Sequence, residues 1–450
     1  MALHFYVSIS VMKRQIFENL KRWKHDKSRK PLIVKGARQV GKTYILTAFG
    51  ALEYENVAYF NFENSPQLHE LFSGSLKPQD IIKVLSVELG AEIKPEKTLI
   101  IFDEIQECPE ALNSLKYFNE SANEYHICAA GSLLGVTLAS SKGFPVGKVD
   151  FLNLYPLSFD EFLKAKGEDK LIQYMEGIIK VEPLPAILHD KLSTYFKEYI
   201  YTGGMPAAVL EYLAKDDFNR IRKAQKDILE AYRLDFAKHA PPNIIMKINQ
   251  VWDIIPSQLA KENKKFVYSV IRKGARAQEF EVAIQWLAEA GLIHKVYNIT
   301  TPKLPLSAYV NHDIFKIYLV DVGLLGAMSG LSAKTIIYGD EIFQEFRGAL
   351  IENYVAQELA RQGNGMFYWT SAGQAELDFV LQVQDAIYPI EVKSGTSLKK
   401  KSLTTYIKKY KPNLAIRVSP MNLKLDGEML NCPLYLLGNL DKLIARGVVA

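Results

Sequence analysis

Residues 36–43 read GARQVGKT and satisfy the spacing G-x-x-x-x-G-K-[ST]. Glycines at those places let backbone N–H groups wrap phosphate oxygens, and a helix that starts there adds positive potential. Gly36, Ala37, Arg38, Gln39, Val40, Gly41, Lys42 and Thr43 are therefore expected to cradle the phosphates of ATP. Lys42 would reach the β- and γ-phosphates, and Thr43 would ligand Mg²⁺. Further on, the apolar run TLIIF ends in Asp103 and Glu104. Asp103 is expected to hold Mg²⁺, directly or through water, and Glu104 to orient and polarise an attacking water. A glutamate directly after the aspartate favours hydrolysis over transfer to a small molecule. Ser132 closes CAAGS and is placed to sense the γ-phosphate; capping the following helix is its plain alternative. Lys148 in PVGKVDF could act on the γ-phosphate in a neighbouring subunit, or be an exposed lysine without a role.

A second constellation lies near the C-terminus. In ELDFVLQV, Leu377, Phe379, Leu381 and Val383 share one strand face and Asp378 takes the other. In PIEVKSG, Glu391 and Lys393 share a face opposite Ile390 and Val392. Paired as a hairpin, these strands would present Asp378, Glu391 and Lys393 together. Glu352 falls in the helical row Ala349, Glu352, Ala356 and Leu359, where a carboxylate is costly without a partner. The run 393–411 then carries seven lysines and no acid, which could track a phosphate backbone or form a solvated helix face. Tyr406 and Tyr410 sit at helical spacing within it, as packing residues or base-stacking platforms.

The elements that must carry these residues come in order. A first helix over KRQIFENLKRWKHD precedes the strands PLIVKG, NVAYFNFE, KTLIIFDE, YHICAAGS and KVDFLNLYPL. Several are unbroken apolar runs, as in a parallel sheet covered on both faces. The chain then turns helical, through YFKEYIYTGGMPAAVLEYLAK and a long amphipathic charged helix, to a boundary at APPN. Three helices and two short strands around a proline-containing turn follow, in the order of a winged helix. Arg272, Lys273 and Arg276 stand at or before its recognition position, where DNA contact is one reading and a structural role the other. The expected fold class is α/β. A P-loop NTPase parallel sheet is followed by a helical lid, a winged helix and a C-terminal α/β nuclease-like domain. The expected divisions are an N-terminal extension and helix (1–30), ATPase core (31–160), lid (161–240), winged helix (241–335) and nuclease-like domain (336–450).

Taken together, GARQVGKT, IIFDEIQ, the strand-end GS, LYPLSFDEFL and GGMP resemble the prokaryotic AAA+-type ATPases that carry a conserved C-terminal domain of unknown role. The resemblance runs over almost the whole chain from Met12. It implies an ATPase core, a lid and a winged helix. In related signalling ATPases a Gly-x-Pro of the lid contacts adenine, and Gly204 and Pro206 match it. The family often has an arginine where this chain has Lys148, and lysine lacks the forked bidentate contact. The order helix-Glu, strand-Asp, strand-Glu-x-Lys resembles the PD-(D/E)xK nuclease superfamily. That resemblance implies divalent ions on Asp378 and Glu391, a supporting Glu352, and Lys393 positioning the water or steadying the transition state.

Bulk properties set the outer bounds. Hydrophobic residues are 48% and charged residues 23% of 450, ordinary for a globular protein of about three domains. The net charge of +5 permits nucleic-acid partners without requiring them. Cys108, Cys128 and Cys432 fit no zinc spacing and read as reduced thiols. The start MALHFYVSISV lacks a basic stretch before its apolar part, so Met12 reads as a plausible start and 1–11 as an upstream extension. No segment has spanning length, which argues for the cytoplasm and against a membrane partner. Two functions follow. One is an ATPase whose nucleotide state regulates a nuclease-like domain acting on DNA or RNA. The other is a signalling or assembly switch, a homo-oligomer, whose last domain only binds.

Overall fold

The structure, a computed structural model, describes residues 12–132, 147–215, 217–261, 264–338, 344–363, 365–371, 375–395 and 401–449. The expected upstream extension, and Lys399 and Lys400 of the lysine run, lie outside them. The chain divides into two compact units: Met1–Tyr155 with Glu289–Gly291, and Pro156–Ala288 with Leu292–Ala450.

The first unit is a five-stranded parallel sheet in the order β2-β3-β4-β1-β5. Its strands are β1 (Leu32–Lys35), β2 (Asn56–Asn61), β3 (Thr98–Asp103), β4 (His126–Ala130) and β5 (Asp150–Asn153). Helices α1 (Ile16–His25), α2 (Lys42–Glu53), α3 (Gln67–Ser73), α4 (Pro78–Leu89) and α5 (Pro109–Ser121) belong to the same unit. Every position of β3 and β4 is buried, which explains their unbroken apolar sequences. Phe102, Ile100, Leu112 and Leu115 lie in one core cluster. Each such fully buried side chain contributes about 1.5–3 kcal/mol of transfer free energy. Because β4 lies between β1 and β3, the segments leaving β1, β3 and β4 emerge side by side at the carboxyl edge, where α/β sheets bind ligands.

The second unit opens with helices α6 (Phe159–Ala165), α7 (Asp169–Glu176), α8 (Ala186–Thr202), α9 (Pro206–Lys215) and α10 (Phe218–His239). Ser158 and Glu161 form a reciprocal capping box that starts α6. Next come α11 (Ile245–Asp253), α12 (Ile255–Leu259) and α13 (Ala277–Glu289), then β6 (Ile293–Ile299) and β7 (Val310–Leu319). After α14 (Val322–Met328) and α15 (Gln344–Arg361) come β8 (Phe367–Thr370), β9 (Glu376–Val383) and β10 (Ala386–Val392). The chain closes with α16 (Lys401–Tyr410), β11 (Ala415–Ser419), β12 (Lys424–Asp426), β13 (Met429–Pro433) and α17 (Leu440–Val449).

One eight-stranded mixed sheet, β12-β13-β11-β10-β9-β8-β6-β7, organises this unit. The three helices before β6 and β7 come in the order expected of a winged helix. Their two strands do not stand apart as a wing, however. β6 pairs in parallel with β8, so the expected border at 335/336 falls within one sheet. The physical reason lies in β7, which is buried at every position from Phe315 to Leu319. A solvent-facing wing strand would alternate instead. Tyr406 and Tyr410 pack edge-on against the buried Trp369, at 5.1 and 5.8 Å between ring centroids, which gives them core roles.

Candidate nucleotide site and acidic cluster

The loop Gly36–Thr43 leaves β1 and enters α2 in a conformation its sequence anticipates. Gly36, Gln39 and Gly41 have φ of 152°, 64° and 95°. A Cβ on Gly36 would sit 2.1 Å from the Leu154 carbonyl oxygen, so only glycine fits there. Lys42 Nζ folds back over the loop and donates to the carbonyls of Gly36 and Ala37, both at 2.9 Å. The loop's outer wall is tied down by the buried Arg14, which donates to the carbonyls of Val40 (3.1 Å) and Tyr155 (2.5 Å).

Asp103, 3% exposed at the end of β3, faces this loop. Its Oδ2 accepts from Thr43 Oγ1 at 2.8 Å and from the Tyr59 hydroxyl at 2.7 Å. Burial, with Asp103 itself contributing, pushes the Tyr59 phenol up to about 12, so it stays a donor. Glu104 adopts the left-handed region at φ 49°. Its Oε2 accepts from Gln106 Nε2 at 2.6 Å and from Ser132 Oγ at 3.3 Å. Thr43 meets Asp103, and Ser132 meets the adjoining Glu104. A hydroxyl beside a carboxylate is a hard oxygen donor set, and the looped glycines leave room against a cationic Lys42. This chemistry fits a nucleotide triphosphate with Mg²⁺. Lys148 stands apart in a half-exposed ion pair with Glu120 at 3.0 Å.

In the second unit, Gly204 is buried and its backbone is engaged at both ends. Its N–H donates to Asp321 Oδ2 at 2.6 Å, and its carbonyl accepts from Leu157 N at 2.7 Å. Asp321 also caps α14 through Leu324 N at 2.9 Å. Burial raises the Asp321 carboxyl to about 6 against the pull of these N–H donors. Pro206 begins α9.

The hairpin β9–β10 turns in two residues and pairs Ile390 with Phe379, so Asp378 and Glu391 are the next residues of adjacent strands. Their partners differ from a ligand set. Asp378 Oδ2 accepts from Val392 N at 2.8 Å. Glu391 Oε1 pairs with Lys393 Nζ at 2.5 Å. Glu352 on α15 is met by Lys264 Nζ at one oxygen and by the Tyr318 hydroxyl, 3.2 Å away, at the other. Lys316, 1% exposed on β7, pairs with Glu376 Oε1 at 2.5 Å. Burial works against the Lys316 ammonium, yet Glu352, Glu376 and Asp378 outweigh it and raise its pKa. Burial first, and then the charge of Glu352, push the Asp378 carboxyl upward. Among the described residues no three His, Cys, Asp or Glu side chains are arranged to hold a metal ion. Glu352, Asp378 and Glu391 each have a protein partner in this arrangement.

Residues 28–163 match the family described as an AAA domain. This segment is an AAA-type P-loop domain. Residues 193–335 match a domain of unknown function, DUF8612, and residues 347–435 match another, DUF4143. No curated protein sequence matches the chain. Among solved structures it is similar to the Walker-type ATPase PABY2304 of Pyrococcus abyssi, at 15% identity and a TM-score of 0.42, covering 71% of this chain and 96% of that one. AMPPCP-bound DnaA from Aquifex aeolicus gives 14% identity and a TM-score of 0.29, over 61% and 81% of the two chains. The Aeropyrum pernix ORC1 protein in complex with DNA gives 11% and 0.27, over 72% and 94%. Among the described residues no helix is long and apolar enough to cross a membrane.

Three residues that contact the Gly36–Thr43 loop and its acids are not revealed by the motifs: Arg14, Tyr59 and Gln106. Tyr59 and Asn61 alternate on β2 beside β3, a period-two signal that an apolar reading of NVAYFNFE hides. In the second unit, Lys264, Lys316, Tyr318 and Glu376 were equally hidden. The signal was a lysine inside the apolar run IFKIYLV, on the same strand face as Tyr318.

Proposed function

We propose that the chain is an ATP-hydrolysing switch whose nucleotide state governs what its C-terminal domain engages. The observation that carries this reading is the Thr43–Asp103 hydrogen bond of 2.8 Å with Glu104 adjoining it. Lys42 and the amides of the Gly36–Thr43 loop would hold the phosphates, and Thr43 and Asp103 the Mg²⁺. Held there, Mg²⁺ would supply positive charge against the phosphates. Glu104 takes a proton from water, and Gln106 and Ser132 fix the orientation of its carboxylate. Ser132 is also the proposed sensor of the γ-phosphate. Lys148 is proposed to face a neighbouring subunit of a homo-oligomer, as a point charge rather than a fork.

The lid reading of Gly204 and Pro206 is retained only in part. Gly204 has both backbone groups committed to Leu157 and Asp321, so it is proposed as a fixed corner of the lid. Three buried free cysteines are compatible with the proposed cytoplasmic location.

For the C-terminal domain, the pairing of Glu352 with Lys264 and of Glu391 with Lys393 favours a binding module over a cleaving one. Its proposed partner is DNA or RNA, drawn by the lysines that continue into α16. An ATP-regulated nuclease is the second reading, motivated by Asp378 and Glu391 on adjoining strands. Two measurements test the proposal. Lys42→Ala should lose ATP binding in calorimetry, and unchanged affinity refutes the nucleotide site. Light scattering should show an oligomer change between ATP and ADP; a monomer in every state refutes the switch. Cleavage of DNA or RNA that Asp378→Ala abolishes would establish the nuclease reading instead.

A further inference from the structure

We infer that Lys264 and Lys316 are resident counter-cations of the acidic cluster, filling the electrostatic place that a divalent ion takes in a metal-dependent nuclease. The inference rests on the nuclease-like reading of the C-terminal domain and deepens its assignment as a binding module.

The geometry supports this from several sides. Lys316 comes from β7 and Lys264 from the segment before α13, whereas Glu352, Glu376 and Asp378 come from α15 and β9. The cations therefore lie outside residues 347–435 and the acids inside them. Lys316 is 1% exposed and its ammonium lies 4.7 Å from the centroid of the Tyr368 ring. A buried ammonium is strongly unfavourable unless carboxylates surround it, so Lys316 has no lower-energy place to go. Both oxygens of Glu352 are occupied, one by Lys264 and one by Tyr318. A divalent ion drawn to Glu352 or Glu376 would meet an ammonium group already paired with that carboxylate. Two of the three carboxylates are paired directly with an ammonium group, Glu352 with Lys264 and Glu376 with Lys316. The same acids, freed of those lysines, would present hard oxygen donors to Mg²⁺ or Mn²⁺.

The two halves of this statement are separately testable with Mn²⁺, read by the loss of its free-ion EPR signal. The full chain carries Thr43→Ala and Asp103→Asn, which remove the nucleotide-site oxygen ligands. This background protein should bind no stoichiometric Mn²⁺ at millimolar metal. Adding Lys264→Met and Lys316→Met should create one Mn²⁺ site per chain, at least tenfold tighter, that Asp378→Asn removes again. Stoichiometric Mn²⁺ on the background protein, lost with Asp378→Asn alone, overturns the inference; this arm needs no lysine variant to fold. A folded double-lysine variant that gains no Mn²⁺ also overturns it. If that variant melts early, Mn²⁺ should raise its Tm and Ca²⁺-free EDTA buffer should not; no rise counts against the inference. Cleavage assays on the same samples separate the two readings. Mn²⁺ bound by the background protein without cleavage overturns the counter-cation role and leaves the binding module standing.

Discussion

Thr43 and Asp103, 60 positions apart in the chain, meet through a 2.8 Å hydrogen bond from Oγ1 to Oδ2. That contact joins the phosphate loop to the acidic strand end. The same Oδ2 also accepts from Tyr59 at 2.7 Å, so the carboxylate is aimed by two hydroxyls from two different elements. Tyr59→Phe removes one of them while keeping the ring. A hydrogen bond to a charged group contributes about 1.5–3 kcal/mol, so half-saturating Mg²⁺ for nucleotide binding should rise by roughly tenfold or more. A fluorescent-nucleotide titration against Mg²⁺ checks this, and an unchanged Mg²⁺ dependence would remove Tyr59 from the site.

Asn353 holds β7 to α15. Its Oδ1 accepts from Leu319 N at 2.7 Å and its Nδ2 donates to the Leu319 carbonyl at 3.0 Å, with no exposure to solvent. Asn353→Ala leaves a buried donor and acceptor unpaired, each costing about 1–3 kcal/mol. Urea unfolding of the second unit should show a loss of about 2–5 kcal/mol, while Asn353→Asp should recover the N–H bond only.

Gly204→Ala tests the lid corner. The added Cβ would sit 2.1 Å from the Leu157 carbonyl oxygen, a backbone atom that cannot swing aside. Overpacking of this kind costs about 1–3 kcal/mol or more, so Tm should fall by several degrees. Gly90→Ala serves as the comparison: its φ of 68° is left-handed, but nothing lies within 4 Å of the added carbon. It should cost less, about 1 kcal/mol of backbone strain.

Acid should weaken the fold through two histidines. Burial lowers His294 on β6 from its ordinary 6.5 to about 4; for His126 on β4 burial comes first and the charge of Arg29 next, with the same result. Each folded-state value is depressed, so the folded state binds fewer protons than the unfolded chain between those values. Stability is fully present above pH 6.5 and declines as pH falls through about 4. For the fully buried His294 the loss is at most about 3 kcal/mol. Denaturant midpoints between pH 7 and 4 should fall, and His294→Gln should flatten part of that slope. A flat profile in the parent protein would contradict the burial account.

Much of the nucleotide site was legible because its signals are local. GARQVGKT specifies its own backbone path, and TLIIF-Asp-Glu specifies a buried strand with acids at its end. The C-terminal cluster was legible only on one side. Period-two reading put Asp378 and Glu391 on adjoining strands. It could not see that Lys264 and Lys316, 88 and 60 positions before their partners, pair with the neighbouring Glu352 and Glu376. Strand partnership across β7, β6, β8 and β9 decides that, and no local pattern encodes it. The winged-helix border failed for a related reason. The burial of Phe315–Leu319 binds β7 into the larger sheet.

The most direct test of ATP hydrolysis by this chain separates binding from chemistry at Glu104. Its carboxylate accepts hydrogen bonds from Gln106 and Ser132, and glutamine keeps the size of that side chain. Glu104→Gln should therefore keep ATP affinity within about threefold of the parent, while removal of a positioned base lowers the turnover rate by about 10²–10⁴-fold. Equilibrium binding of ATP and phosphate release are measured on the same preparation. Tight binding with hydrolysis lost is the predicted result; parental hydrolysis by Glu104→Gln would contradict the assignment.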